Sequence, residues 1–112
     1  PEPRSRGDHW LSEGALRLPG FALAEAAALV EVIRGVSALA QPRRMTTAGG
    51  GTMSAAITNC GSLGWVSDEQ GYRYSPVDPQ TRSPWPAIPT LVLDVAQRAA
   101  AQRLEADVGA LA

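Results

Sequence analysis

The sequence predicts an α+β domain in which two helices accompany a β-hairpin and short strands. Apolar residues recur at three- and four-residue steps over residues 22–40 and again after Thr90, and residues 52–58 alternate between polar and apolar. The chain has 112 residues, of which 45% are hydrophobic and 19% charged, which is enough for one small domain with a core. Two complete domains and a disordered acidic or basic tail are therefore excluded.

The N-terminal third is predicted to contain an arm, a strand and a helix. Residues 1–12 are polar and aperiodic, so we predict a flexible arm, followed by a short strand over residues 15–18 that ends at a Pro-Gly turn pair. The helix over residues 22–40 has one apolar stripe, formed by Leu29, Val32, Ile33, Val36 and Leu39. Packing of this stripe on a core is the main interpretation, and binding of a partner is the alternative.

A glycine-rich turn is predicted to close a β-hairpin in the middle of the chain. Residues 48–51 read Ala-Gly-Gly-Gly, and the alternating segment 52–58 then forms a half-buried strand. These glycines do not match a phosphate-binding loop, since no Gly-Lys-Ser or Gly-Lys-Thr follows them. Residues 59–65 are predicted to be a loop, whereas the two tyrosines at 72 and 74 have strand spacing and share one side.

Prolines separate this central region from the last helix. They recur between residues 76 and 89 and disfavour regular structure there, and Trp85, between two of them, is expected to pin the extended segment to the body. The last helix is predicted to begin at Thr90, and Asp94 and Arg98, four residues apart, support it. Its apolar stripe consists of Leu91, Val92, Val95, Ala96 and Ala99.

Few residues are available for catalysis or metal binding. The formal net charge is −1, so a nucleic acid would have to be bound by a local patch rather than by the overall field. A single cysteine, Cys60, excludes an intrachain disulfide, and a single histidine, His9, leaves no base for a serine or cysteine nucleophile. No apolar run is long enough for a membrane helix, and we expect a soluble, cytoplasmic protein. Because the chain begins with Pro rather than Met, its first residue is not expected to be the natural start.

Aromatic residues in the predicted loops are interleaved with arginines. The aromatic residues are Trp65, Tyr72, Tyr74 and Trp85. The arginines are Arg43, Arg44, Arg73 and Arg82. Aromatic faces stack on bases and guanidinium groups pair with phosphates, as binding of an unstacked or flipped nucleotide requires. The alternative, which composition alone favours, is that these aromatic residues are half-buried packing residues.

Four stretches carry long and specific sequence strings. They are residues 53–65 (MSAAITNCGSLGW), 70–76 (QGYRYSP), 78–81 (DPQT) and 84–87 (PWPA). Together they resemble the N-terminal part of the AlkB family of bacterial nucleic-acid dealkylases. The resemblance covers about residues 13–101, and residues 102–112 are interpreted as a tail that diverges from the family.

The resemblance implies an iron(II)- and 2-oxoglutarate-dependent dioxygenase that repairs DNA or RNA by oxidative demethylation of 1-methyladenine and 3-methylcytosine. In that family, the N-terminal segment is the lid that recognises the nucleotide, above a double-stranded β-helix (jelly roll). The implied substrate-binding residues are Trp65, Tyr72, Arg73, Tyr74, Thr47 and Met53. The tryptophan would stack on the damaged base, the Tyr-Arg-Tyr run would line the base and its phosphate, and the last two would lie on the flexible hairpin that grips the backbone.

The chain also departs from the family pattern. Gly51 stands where the family commonly has an aromatic residue, and Ala48 where it has a proline. The His-x-Asp motif, the distal histidine and the 2-oxoglutarate-binding arginines of the family lie in the jelly roll, and this chain contains none of them. We therefore expect no catalytic, metal-binding or cofactor-binding residue here, and a monomer that is inactive alone. The alternative is a non-enzymatic module, either a truncated paralogue or a nucleic-acid-binding or interaction domain.

Overall fold

A computed structural model describes the backbone of residues 7–111 and the side chains of residues 7–105. It contains helices and short antiparallel strands, which confirms the mixed helix and strand composition predicted from the sequence. The chain divides into two units, residues 1–29 with 90–112 and residues 30–89.

The first unit contains a hairpin that the sequence did not predict in full. Strand β1 (His9–Ser12) pairs antiparallel with β2 (Ala15–Arg17), with a bulge between Trp10 and Ser12. The prediction of a flexible arm is therefore wrong for residues 9–12, which form this strand. All four are exposed, so backbone pairing holds the strand and no hydrophobic pattern marks it. Residues 1–6 of the predicted arm lie outside the described residues.

Helix α1 (Ala26–Leu39) follows a 3₁₀ turn at Leu23–Glu25, close to the predicted limits. Its apolar stripe is only partly covered, because Ile33 and Leu39 remain 55% and 71% exposed. No residue of this helix is buried. Only part of the apolar stripe of α1 is therefore covered by other described residues.

Helix α2 (Thr90–Leu111) begins at the predicted residue, directly after the proline-rich segment. Its Arg98 donates to Asp94 at 3.0 Å, as the four-residue spacing predicts, and also to Glu25 at 2.7 Å. The helix continues through the segment that the sequence analysis interpreted as a divergent tail. Within the described part of the chain, neither helix is both long enough and apolar enough to cross a membrane.

The second unit is a succession of antiparallel hairpins. Its strands are β3 (Arg43–Thr46), β4 (Thr52–Ile57), β5 (Gly64–Asp68), β6 (Gly71–Ser75), β7 (Val77–Asp78) and β8 (Ser83–Pro84). Within the part of the chain that the structure describes, these strands form the pairs β3–β4, β5–β6 and β7–β8, each between neighbours in sequence. The predicted hairpin across the glycines is confirmed. Gly64 and Trp65, which the sequence analysis placed in a loop, belong to β5.

The core of this unit forms around Trp85. The side chain is 4% exposed and its Nε1 donates to the carbonyl of Ser75 at 2.9 Å, so the proline-flanked segment is pinned as predicted. The ring lies directly over Gly64, where a Cβ atom would collide with Trp85 and with Asn59. Glycine is therefore required at the start of β5 by close packing.

Candidate nucleic-acid interface

One face of the β5–β6 hairpin carries three aromatic side chains. Trp65 pairs with Tyr74 and Ser67 with Tyr72, and side chains opposite each other in a ladder point to the same face. The rings of Trp65 and Tyr72 stack with centroids 6.0 Å apart and an interplanar angle of 28°. Trp65 is half-buried, while Tyr72 and Tyr74 are 76% and 72% exposed. We call Trp65, Tyr72 and Tyr74 the aromatic face.

Arg73 lies on the other face of the same hairpin. It falls between the two tyrosines in sequence and pairs with Val66. Because successive side chains of a strand point to opposite faces, the Arg73 side chain points away from the two tyrosines. Its guanidinium donates to Asp68 at 2.9 Å, and both side chains are partly exposed. This bond, together with the N–H of Gln70, holds the pKa of the Asp68 carboxyl below its ordinary value. The structure therefore does not bring Arg73 together with the aromatic face.

Thr47 closes the turn between β3 and β4. Its hydroxyl accepts a hydrogen bond from the N–H of Gly51 at 3.1 Å and also lies 3.3 Å from the carbonyl of that residue. Its backbone binds both sides of the turn, accepting from Gly50 at 2.9 Å and donating to Gly51 at 2.7 Å. Gly50 has a φ of 88°, which favours glycine. The Thr47 side chain is thus engaged within the turn that it forms.

A side-chain bond connects this hairpin to the aromatic face. Ser67, which lies on that face, donates to the carbonyl of Thr46 at 2.8 Å. The residue after Thr46 is Thr47, so the turn begins beside the β5 strand that carries Trp65. Met53 is half-buried on β4, one strand further away, because β3 lies between β4 and β5.

Asn59 fixes the backbone of Trp65. Its amide Nδ2 donates to the Trp65 carbonyl at 3.0 Å, and its Oδ1 accepts from the Trp65 N–H at 3.0 Å. Asn59 is not among the predicted site residues. An asparagine in a glycine-containing loop has no spacing that would reveal a partner six residues later.

Arg43 was predicted among the arginines available to phosphate, but it is engaged in an ion pair. Its guanidinium binds both carboxylate oxygens of Asp78, at 2.6 and 2.8 Å, and stacks over Trp85 at 5.2 Å. The Asp78 side chain is fully buried and that of Arg43 is 15% exposed. Pairing with Arg43 lowers the pKa of Asp78. The guanidinium of Arg43 is therefore already paired within the fold with a buried carboxylate.

The other two arginines of the predicted cluster lie on other elements than the aromatic face, Arg44 on β3 and Arg82 in the turn between β7 and β8. Arg44 is exposed and lines a cavity of about 280 Å³ between β3, β5 and the turn at Pro79 and Gln80. Arg82 is exposed in the β7–β8 turn, with its N–H bonded to the Asp78 carbonyl at 2.7 Å. Of the predicted site residues, the structure thus gathers the three aromatic side chains and brings the Thr47 turn to their strand.

Comparisons with known proteins show which family the sequence matches. The sequence model of the family described as the 2OG-Fe(II) oxygenase superfamily matches residues 14–108. The alpha-ketoglutarate-dependent dioxygenase AlkB of Escherichia coli is 50% identical over 90 residues, which are 80% of this chain and 42% of that protein. The protein of the same name from Salmonella typhimurium is 46% identical over 90 residues, again 42% of its length. An AlkB homologue from Caulobacter vibrioides is 37% identical over 98 residues, 44% of its length.

The chain therefore spans less than half the length of these relatives, and the family match includes most of α2 as well as the three hairpins of the second unit. The matched segment contains the aromatic face, the Thr47 turn and the Asn59 contact with Trp65. On the family match over residues 14–108 and these relatives, the chain belongs to the 2OG-Fe(II) oxygenase superfamily and, within it, to the AlkB family.

Proposed function

We propose that this chain is the nucleotide-recognition part of an AlkB-type dioxygenase that oxidatively demethylates 1-methyladenine and 3-methylcytosine in DNA or RNA. The observation that carries the proposal is the aromatic face. Two tyrosines, more than two-thirds exposed, and the half-buried Trp65 share one side of a two-stranded hairpin. Stacking platforms of this kind bind unstacked bases.

Within this proposal, Trp65 stacks on the damaged base. Tyr72 lies against one side of the indole, so the base would occupy the other side. Tyr74 lies directly opposite Trp65 in the ladder, and its hydroxyl and that of Tyr72 can donate to the phosphate or accept from the base. The face thus combines a stacking surface with hydrogen-bonding groups at its edge.

The remaining residues are assigned to the sugar-phosphate backbone. Thr47 would act by shaping the turn that approaches the strand, since its hydroxyl is bonded to Gly51, and Met53 would contribute apolar surface on β4. Arg73 is kept from the base by its position on the opposite face. Its side chain is 44% exposed, so it would contact a phosphate that passes the hairpin edge.

The family description implies iron(II) and 2-oxoglutarate, and the described residues do not fit the metal. In the described residues, no three histidine, cysteine, aspartate or glutamate side chains come together so that they could hold a metal ion. The role that we propose for this chain is therefore recognition of the nucleotide. The ligands of the metal would be residues other than the described ones.

The test separates stacking from packing at two tryptophans in the full-length protein. Trp65→Ala is expected to weaken binding of a short single-stranded DNA containing one 1-methyladenine by about 1–3 kcal/mol, the contribution of one stacking platform. Trp85→Ala is expected to cost about 3–5 kcal/mol of stability, because the ring is buried over Gly64. Fluorescence anisotropy gives the affinity, and thermal melting gives the stability of each variant.

The two variants serve as controls for each other. We expect a large fall in Tm for the Trp85 variant and a smaller one for the Trp65 variant, which is only half-buried. A Trp65 variant that melts early but binds the oligonucleotide normally below its Tm would refute the assignment and make Trp65 a packing residue.

A further inference from the structure

We propose that Asn59 is a positioning residue that holds Trp65 in the orientation required for base stacking. The inference rests on the proposed function, since it assigns Asn59 a role only through Trp65. It adds to the site a residue that contacts no ligand itself.

The ladder geometry shows why Trp65 needs such a partner. In an antiparallel pair, the N–H and C=O of one residue point to the same side, either toward the partner strand or away from it. Both of these groups of Trp65 bond to Asn59, so they point away from β6, and Trp65 and Tyr74 form a non-hydrogen-bonded pair. Among the described residues, β5 forms a ladder with β6 alone, and β3 packs beside β5 without pairing with it, so no strand offers backbone partners to these two groups of Trp65. The Asn59 amide therefore makes the two hydrogen bonds with Trp65 that a neighbouring strand would otherwise make.

Asn59 is attached to fixed points on both sides. The preceding residue, Thr58, donates its hydroxyl to the Ala40 carbonyl at 2.6 Å. Shortly after it, the Gly61 N–H donates to the Pro86 carbonyl at 2.7 Å. Ala40 is buried, and Pro86 follows the buried Trp85. The loop that carries the Asn59 amide is thus held in place on both sides, and the amide positions the Trp65 backbone.

The residue before Trp65 is also constrained. Gly64 is packed beneath the Trp85 ring and against the Asn59 Cβ, with no room for a side chain. Gly64 and the Asn59 amide together restrict rotation of the peptide groups on both sides of Trp65. Removing the amide would release one of these restraints. The indole would then lose conformational freedom when the base binds, which weakens affinity without removing any ligand contact.

The experiment is a double-mutant cycle between Asn59 and Trp65 in the full-length protein, with the 1-methyladenine oligonucleotide as probe. Asn59→Leu removes both hydrogen bonds at similar side-chain size, and Asn59→Ala serves if the leucine does not fit. We expect either variant to bind the probe about tenfold more weakly below its Tm, within the roughly 5–150-fold that loss of a stacking platform costs. In the Trp65→Ala background, the same substitution is expected to cause no further loss, because it acts through the indole.

Ser75→Ala is the matched control. Ser75 binds both the N–H and the carbonyl of Val77, at 3.2 and 2.8 Å, as Asn59 binds those of Trp65. Removal of the Ser75 hydroxyl is expected to lower Tm and to leave the affinity for the 1-methyladenine oligonucleotide unchanged.

The outcomes distinguish the two proposals. If Trp65→Ala itself binds the probe normally, the proposed function fails. If Trp65→Ala binds weakly but folded Asn59 variants bind as the wild type does, Asn59 has no positioning role. An Asn59 substitution that weakens binding equally with and without Trp65 would likewise overturn this inference, since its effect would not pass through the indole.

Discussion

At the residue scale, Arg43 and Asp78 show how burial decides the role of a charged side chain. Arg43 was predicted in a phosphate-binding cluster, but its guanidinium is bound at two points to a fully buried carboxylate. A buried charge requires a partner, because its desolvation is otherwise uncompensated. Asp78 also accepts from the Gln80 N–H at 2.8 Å, so the pair links β3 to the turn between β7 and β8.

We expect Asp78→Asn to destabilise the protein by about 3–5 kcal/mol, because it leaves the largely buried Arg43 guanidinium without its counter-charge. Thermal or urea unfolding measures the loss. Glu31→Gln is the matched control, since it breaks an ion pair with Arg34 in which both side chains are about 70% exposed, and solvent screens such pairs. Equal losses in the two variants would show that burial does not determine the contribution of the Arg43–Asp78 pair.

The same pair makes stability depend on pH. Arg43 lowers the pKa of Asp78 in the folded state, so the folded protein binds this proton more weakly than the unfolded chain does. The stabilisation is present above the unfolded pKa of about 3.9 and is lost as the pH falls through the lower folded pKa. The Tm of the wild type should therefore decrease at pH values below about 4. The difference in Tm between the wild type and Asp78→Asn should become smaller in that range. A difference that stays constant down to pH 2 would contradict this.

At the scale of elements, helix α1 contains a residue that local physics disfavours. Gly35 lies inside the helix, and a Cβ atom there would meet nothing within 4 Å. Gly35→Ala is therefore expected to stabilise the protein by about 1 kcal/mol, because alanine loses less backbone entropy in a helix. Gly50→Ala is the contrasting variant: it also has open space, but its φ of 88° strains any side chain, so Tm should fall. A fall in Tm for Gly35→Ala would indicate that this helix face is covered.

At the scale of the whole molecule, the described residues bury little apolar surface. The buried hydrophobic side chains among them are Ala40, Met45, Val66 and Trp85. Large apolar residues on or near both helices remain exposed, such as Leu23 at 77%, Leu39 at 71% and Leu104 at 67%. Small domains depend on apolar burial to offset the conformational entropy of the chain.

We therefore expect the 112-residue chain alone to be marginally stable or partly molten. Circular dichroism during heating should show a broad transition at low temperature. A sharp, cooperative transition at high temperature would show that the chain needs no further contacts.

The 112-residue chain alone is also expected to bind no iron and to release no formaldehyde from a methylated oligonucleotide. The reason is the absence of a metal-binding cluster among the described residues and the presence of only one histidine. Iron titration followed by a formaldehyde-release assay measures both properties. Stoichiometric iron binding or turnover by this chain would overturn the expectation.

The sequence by itself determined the elements that depend on local patterns. A period of 3.6 residues predicted the α1 stripe, and a period of 2 predicted the shared side of Tyr72 and Tyr74. Turn chemistry predicted the glycine hairpin and the start of α2 after the prolines. The long strings around Trp65 and Trp85 were enough to identify the family.

Only the tertiary structure decided which side chains face one another. The partners in the Arg43–Asp78 pair are 35 residues apart, and the Ser67 bond to Thr46 spans 21 residues. It also assigned Trp65 to a strand, set Arg73 on the far face, and supplied Asn59 as the partner of the β5 edge. These contacts depend on strand register and on burial, which are set by residues far apart in the chain. The spacing of residues along the sequence does not reveal them, because the energy of a contact depends on where the fold brings the two groups together.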